Sequence, residues 1–97
     1  MFDKIKQLKN LRDQAMQMKS MLAQEVVTAS AAGGKVSLTM NGNQEILAID
    51  IDSSLLEPSK KEDLEKAIKE ATNEAIKKVQ HLAASKLQSS GFNLPGL

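Results

Sequence analysis

The chain has 97 residues, 41% of them hydrophobic, and a formal net charge of +1. This length predicts a single domain over residues 1–97, and the near-neutral charge excludes the strongly basic balance of a histone-like protein. The absence of cysteine excludes disulfides and thiolate metal sites. No apolar run is long enough for a secretory signal or a membrane span, so we expect a cytoplasmic protein with no membrane partner.

The first predicted element is a helix over residues 3–24. Its large apolar side chains recur in alternating steps of three and four residues, the spacing of a helical face that packs against a partner. These residues are Leu8, Leu11, Ala15, Met18 and Leu22. The apolar seam that they form is too short for a free-standing coiled coil, so it requires a packing surface elsewhere.

A strip of positive charge lies beside this seam. Lys9, Arg12 and Lys19 are spaced so that a helix of 3.6 residues per turn gathers them within an arc of about 80°. Asp13, the only acidic residue in the middle of the helix, points elsewhere. A row of cations without local counter-charge is typical of a surface that binds a polyanion, and it predicts contact with nucleic acid.

Three short strands are predicted next, because the apolar period changes to two residues. The first is Val26–Ala31, which ends before Gly33-Gly34. The second covers Lys35–Asn41 and the third covers Gln44–Asp52. The cluster Asn41-Gly42-Asn43 between the last two favours a β-hairpin, because its residues tolerate positive φ angles.

The hairpin is predicted to have a two-residue loop, centred on either Asn41-Gly42 or Gly42-Asn43. The two alternatives differ by two residues in register, so the same side chains share one face in both. These side chains are Val36, Leu38, Leu47 and Ile49. We expect this face to provide packing or dimer contacts.

A second helix is predicted over residues 59–88, followed by an apolar tail at 91–97. The helix would be about 40 Å long, whereas a seven-residue strand spans only about 23 Å. A three-stranded sheet cannot cover both helices from end to end. We therefore expect an α+β, α-β-β-β-α fold in which overhanging apolar faces meet a second copy of the chain.

Catalysis is poorly supported by the residue types present. Nucleophilic mechanisms need a base beside the nucleophile, and the single histidine, His81, is predicted on the side of its helix away from the apolar stripe. One histidine supplies too few ligands for a metal. Gly33-Gly34 lacks the spaced glycines and lysine of a phosphate-binding loop. We expect no enzymatic activity, no cofactor, no metal and no small-molecule substrate.

Charge on the second helix is expected to be balanced locally. Glu62, Glu65 and Glu74 each precede a lysine by four residues, a spacing that favours ion pairs along a helix. The first helix is therefore the predicted nucleic-acid surface. The sequence lacks a helix-turn-helix spacing, zinc ligands and an aromatic platform, which leaves duplex DNA held mainly through its phosphates.

The whole chain resembles the YbaB/EbfC family of bacterial nucleoid-associated proteins. The segments that carry the resemblance are residues 8–22, Ala32-Gly33-Gly34-Lys35-Val36, Thr39-Met40-Asn41-Gly42, Ile49-Asp50-Ile51-Asp52-Ser53-Ser54-Leu55-Leu56, residues 64–78 and Leu94-Pro95-Gly96-Leu97. The resemblance implies a cytoplasmic homodimer, associated with the nucleoid, in which sheets associate and helices project as arms. It also implies DNA binding, a role in nucleoid organisation or gene regulation, and no enzymatic activity.

Mapped onto this chain, the arms would be the first helix and the end of the second. The predicted DNA-binding residues, chosen by charge placement, are Lys9, Arg12 and Lys19, followed by Lys4, Lys6, Lys77, Lys78 and Lys86. The predicted dimer or packing residues are Leu8, Leu11, Met18, Leu22, Val36, Leu38, Leu47 and Ile49. One alternative function stays open, in which the apolar seam of the first helix binds a helix of another protein.

Overall fold

The structure of the protein is a computed structural model that describes residues 2–89. In chain order its main elements are α1 (Phe2–Ala23), β1 (Val26–Ala31), β2 (Val36–Asn41), β3 (Ile46–Ile51) and α2 (Lys61–Ser89). The predicted α-β-β-β-α order is confirmed. The predicted apolar tail at 91–97 lies outside the described residues.

The three strands form one antiparallel sheet in the order β1-β2-β3. The connection between β1 and β2 is the tight turn Ala32–Gly34, in which three successive residues have positive φ angles. Two of these three residues are glycine, which adopts this conformation without the steric penalty of a β-carbon. The Gly33-Gly34 pair therefore allows the chain to reverse direction between β1 and β2.

The predicted two-residue hairpin loop is wrong. The loop holds three residues, Gly42 to Gln44, because the Asn41 N–H donates to the carbonyl of Glu45 over 3.0 Å. Gln44 adopts a φ of +62°, the left-handed conformation that closes loops of this length. A β-bulge opposite Thr39 and Met40, in which Leu47 of β3 is the extra residue, then shifts the register by one more residue.

The bulge compensates for the odd loop length. A three-residue loop alone would turn alternate side chains to the opposite face, and the extra bulge residue turns them back. Leu38 therefore lies opposite Ile49, and Val36 lies opposite Ile51. Leu38 and Ile49 share a face as predicted, whereas Leu47 is the unpaired residue of the bulge and the register matches neither predicted alternative.

The core lies between α2 and the first two strands. A column of small side chains on α2 packs against β1 and β2, and small residues allow a helix to approach a sheet closely. The buried core consists of Ala29, Val36, Leu38, Met40, Leu55, Ala67, Ala71, Ala75 and Val79. The third strand lies beyond this helix contact, so its side chains Ile46, Leu47 and Ile49 remain 47–54% exposed.

The first helix projects from this body. The described chain measures 65 × 23 × 21 Å along its principal axes, and α1 accounts for much of that elongation at about 33 Å in length. Within residues 2–89, no helix combines the length and the apolar character needed to cross a bilayer.

The position of Leu38 in the core leads to a prediction about stability. The side chain is 1% exposed, so Leu38→Ala leaves a cavity and should lower the free energy of unfolding by about 3 kcal/mol. Chemical denaturation followed by circular dichroism measures this change. Leu56→Ala is the control, because Leu56 is exposed and its truncation should change stability by under about 1 kcal/mol. An equal loss in both variants would contradict the assigned core.

Candidate nucleic-acid interface

The arm formed by α1 is solvated along most of its length. Every residue from position 4 to position 17 is exposed, and burial begins only at Met18, near the end of the helix. Leu8 and Leu11 are 67% and 61% exposed, so the first half of the predicted apolar seam is uncovered within residues 2–89. The arm therefore presents both charge and apolar surface to a partner.

The basic strip lies on this arm, as the residue spacing predicts. Lys9, Arg12 and Lys19 are all exposed, and none of their side chains forms a hydrogen bond or ion pair with a residue that the structure describes. Lys4 and Lys6 are also exposed near the start of the helix. These two cations add charge near the start of the same helix, on either side of the strip.

The predicted cations of α2 lie elsewhere and have different surroundings. Lys77 lines a polar groove between α2 and β1, together with Ser30 and Glu74. The Lys78 ammonium donates to the carbonyl oxygen of Thr28 on β1 over 2.9 Å. Because β1 is an edge strand, this contact satisfies a backbone group at the sheet border.

Lys86 is engaged in an ion pair. Its ammonium lies 2.9 Å from the Glu25 carboxylate, in the connection between α1 and β1. The Glu25 carboxylate offsets the positive charge of Lys86, which was predicted to bind DNA. Lys86 thus contacts the base of the arm, apart from the basic strip.

The ion pairs expected along α2 do not form among the described residues. Lys66, Lys69 and Lys78 each follow a glutamate by four residues, but among the described residues none of these spacings brings ammonium and carboxylate into contact. The opposite charges still alternate over the same surface. Carboxylates are therefore more numerous around its cations than on α1, where Asp13 follows Lys9 by four residues without forming an ion pair among the described residues.

The predicted dimer or packing residues divide into three groups. Val36 and Leu38 are core residues of the sheet. Met18 and Leu22 are half-buried where α1 meets the body. The exposed members are Leu8, Leu11, Leu47 and Ile49. Only these exposed side chains have substantial surface left to bury against another molecule.

Residue patterns did not reveal the contact that holds the arm. Asn43 donates from its side-chain nitrogen to the carbonyl oxygen of Lys19 over 2.9 Å. The Gly42 N–H is shared between the carbonyls of Leu22 and Glu25, at 2.9 Å each. The sequence marks these loop residues as a turn, but it carries no signal for a contact with a helix 24 residues away.

A second basic group lies at the opposite end of α2. Lys35, Lys60 and Lys66 line a shallow groove with Asp63 and Glu70, so the charges there are mixed. Beside it, the backbone N–H of Ser54 donates to Asp52 over 2.9 Å and lowers the pKa of that carboxyl, with a smaller effect from the charge of Lys35. The groove has no uncompensated cation row like that of α1.

Within the described residues, no group of three or more histidine, cysteine or carboxylate side chains is arranged to hold a metal ion. His81 is exposed on α2, as predicted. The fold and the site together define an α-β-β-β-α protein that presents a solvated, basic helical arm. Such an arm is suited to binding a polyanion.

Comparison with known proteins identifies the family. The YbaB/EbfC DNA-binding family matches residues 1–93, and the chain belongs to this family. The resemblance stated from the sequence is thereby confirmed.

Three relatives illustrate the similarity. A nucleoid-associated protein of Syntrophobacter fumaroxidans is 37% identical, over 99% of this chain and 89% of that protein. A nucleoid-associated protein of Bartonella tribocorum is 36% identical, over 98% and 96% of the two chains. The crystal structure of an uncharacterized protein from Helicobacter pylori superposes with a TM-score of 0.65 at 27% identity, covering 89% of this chain and 95% of that chain.

The ion pair at the base of the arm gives a prediction. The Lys86 and Glu25 side chains are 42% and 27% exposed, so solvent screens their attraction. Lys86→Gln should therefore lower the free energy of unfolding by at most about 1 kcal/mol, as measured by urea denaturation. A loss as large as that of Leu38→Ala would show that the pair does more than an exposed ion pair can.

Proposed function

We propose that the protein is a nucleoid-associated protein that binds duplex DNA through the basic strip of α1. The observation that carries this proposal is the exposure of Lys9, Arg12 and Lys19 without a partner among the described residues. Lys4 and Lys6 add charge near the start of the same helix, whereas Lys77 and Lys78 form a separate, secondary contact. Lys86 contributes least, because Glu25 offsets its charge.

The chemistry of the strip favours phosphate contact over base reading. Lysine and arginine bind the DNA backbone and release its condensed counterions, which gives affinity with little dependence on sequence. The strip carries no amide side chain, the group that would distinguish adenine in the major groove. Binding should therefore tolerate many sequences, as suits a protein of nucleoid organisation with secondary effects on gene regulation.

A homodimer would double the number of phosphate contacts. Its support is the apolar surface that one copy leaves open on the edge strand β3, at Leu47 and Ile49. An exposed apolar edge strand is a surface that natural proteins usually cover. We propose that a second copy covers β3 and leaves the two α1 arms free.

The nucleoid, within the cytoplasm, is the proposed location. Its support is the family's DNA-binding description and the relatives that carry the name nucleoid-associated protein. We propose binding alone, with no catalysed reaction. The seam residues Leu8 and Leu11 favour one alternative, in which the arm packs against a helix of a partner protein.

The DNA proposal predicts a steep salt dependence. Three contacts on each of two arms make about six phosphate contacts, so the logarithm of the affinity should fall against the logarithm of salt with a slope of roughly −5. Replacing Lys9, Arg12 and Lys19 together with Gln should abolish most binding to a random-sequence duplex. Fluorescence anisotropy across several salt concentrations measures both effects.

A matched variant controls for the loss of charge. Replacing Lys61, Lys66 and Lys69 of α2 with Gln removes the same charge from exposed positions of the other helix, and it should leave most of the affinity intact. Equal losses in the two variants would contradict the assigned strip. Salt-insensitive capture of a protein, without DNA retardation at low ionic strength, would favour the partner-helix alternative.

The dimer proposal has its own test. Ile49→Lys places a charge in the proposed contact on β3, where burying it without a partner is costly, so the variant should be monomeric. Sedimentation velocity measures the mass, and circular dichroism checks the fold. Ile5→Lys, a similarly exposed isoleucine on the arm, should remain dimeric. An unchanged dimer in the Ile49 variant would exclude β3 as the interface.

A further inference from the structure

The α1 arm meets the rest of the described chain at one place, which we call the arm joint. It comprises the connection Gln24-Glu25 and the hairpin-tip residues Gly42 and Asn43. We propose that the hairpin tip fixes the direction of the arm, and that Asn43 is a positioning residue for the DNA contact. The second part of this inference rests on the proposed function.

Asn43 holds the arm through its side chain. Its amide nitrogen donates to the carbonyl of Lys19, one turn before the helix ends. The neighbouring Gly42 N–H donates to the Leu22 carbonyl, which a helix end leaves without all its usual partners. The hairpin tip thus acts on the last turn of α1 from a separate part of the chain.

The hairpin loop is held by several internal hydrogen bonds, so it can fix the position of Asn43 relative to α1. Asn41 is only 4% exposed, and its side-chain oxygen accepts the backbone N–H groups of Asn43 and Glu45 at 3.0 and 3.1 Å. The Asn41 side-chain nitrogen donates to the Glu45 carboxylate over 3.0 Å. These bonds fix the loop backbone and present Asn43 to the helix.

Gly42 allows the close approach. A β-carbon at this position would overlap the carbonyl oxygen of Leu22 and lie 3.0 Å from the Leu22 β-carbon. The hairpin and the helix backbone could not then remain in contact. The glycine is required here by a neighbour from α1, in addition to any preference of the turn.

Glu25 completes the arm joint from the other side. Its N–H donates to the Leu22 carbonyl over 3.1 Å, and its own carbonyl accepts the Gly42 N–H. Its carboxylate pairs with Lys86 of α2. The connection between arm and sheet is therefore tied to both the hairpin and the second helix.

The direction of the arm matters because its far end is distant from the joint. With α1 about 33 Å long, a tilt of about 10° moves the first turn by roughly 6 Å. This displacement approaches two base-pair steps of 3.4 Å along duplex DNA. A loose joint would spread the cations over many positions, and ordering them on DNA would lower the affinity.

The experiment measures the distance between the arm and α2. The chain has no cysteine, so nitroxide labels can be placed at Gln7→Cys on the arm and Glu65→Cys on α2, both exposed positions. Dilution with unlabelled chains isolates the distance within one chain, which pulsed electron resonance reports as a distribution. Asn43→Leu keeps the shape and the neutrality of the side chain but removes the donor, and Gly42→Ala adds the β-carbon.

The matched control is Gln44→Asn, a change in the same loop at a residue whose side chain does not bond to α1. Asparagine tolerates the positive φ of this position. We expect a broader distribution for Asn43→Leu, a shifted one for Gly42→Ala and an unchanged one for Gln44→Asn. Unchanged distributions in both test variants, with native circular dichroism, would overturn the proposal that the hairpin tip directs the arm.

DNA titration of the same variants separates the two proposals. If both hold, Asn43→Leu should weaken binding by roughly threefold to tenfold while Gln44→Asn does not. A broadened distribution with unchanged DNA affinity would overturn the role of Asn43 in the DNA contact. If the parent chain binds no DNA, the proposed function fails, whereas the distance distributions still decide whether the hairpin tip directs the arm.

Discussion

The architecture depends on a hydrogen-bonded contact between a hairpin tip and the end of a helix. α1 has no apolar face buried along residues 4 to 17, so packing cannot orient it as packing orients α2. Its direction is set at its end, where Met18 and Leu22 are half-buried and where Gly42 and Asn43 bond to backbone carbonyls. Polar, directional bonds with fixed geometry therefore do for the arm what the hydrophobic core does for the body.

The body itself relies on small side chains. Ala67, Ala71 and Ala75 are buried on α2 and allow the helix to lie close to β1 and β2. This close fit is confined to two strands, which leaves β3 partly uncovered. The position of α2 explains both the buried core and the exposed third strand, since a single helix placed over β1 and β2 cannot also cover β3.

The sequence predicted the fold well, because periodicity is a local property. The alternation in β2 specified that strand and its inner side chains Val36 and Leu38, and the second helix was predicted within a few residues of its ends. The predicted hairpin register is wrong because Gln44, a residue with little preference for positive φ, extends the loop, and a bulge at Leu47, opposite Thr39 and Met40, follows. The exposure of the basic strip followed from helical geometry, but the Lys86 ion pair and the Asn43 contact join residues far apart in the chain. No local pattern encodes such contacts.

The exposure of the arm divides the molecule energetically as well as spatially. An exposed helix without tertiary contacts is stabilised by little more than its own backbone hydrogen bonds, and a helix of this length is only marginally stable in water. Amide protons in the first turns of α1 should therefore exchange with solvent by local fraying, whereas those of β2 should exchange only when the whole domain opens. A molecule that binds to the arm should stabilise the helix and slow this fraying. Amide exchange in the first turns of α1 would therefore report binding to the arm even when the body of the protein stays unchanged.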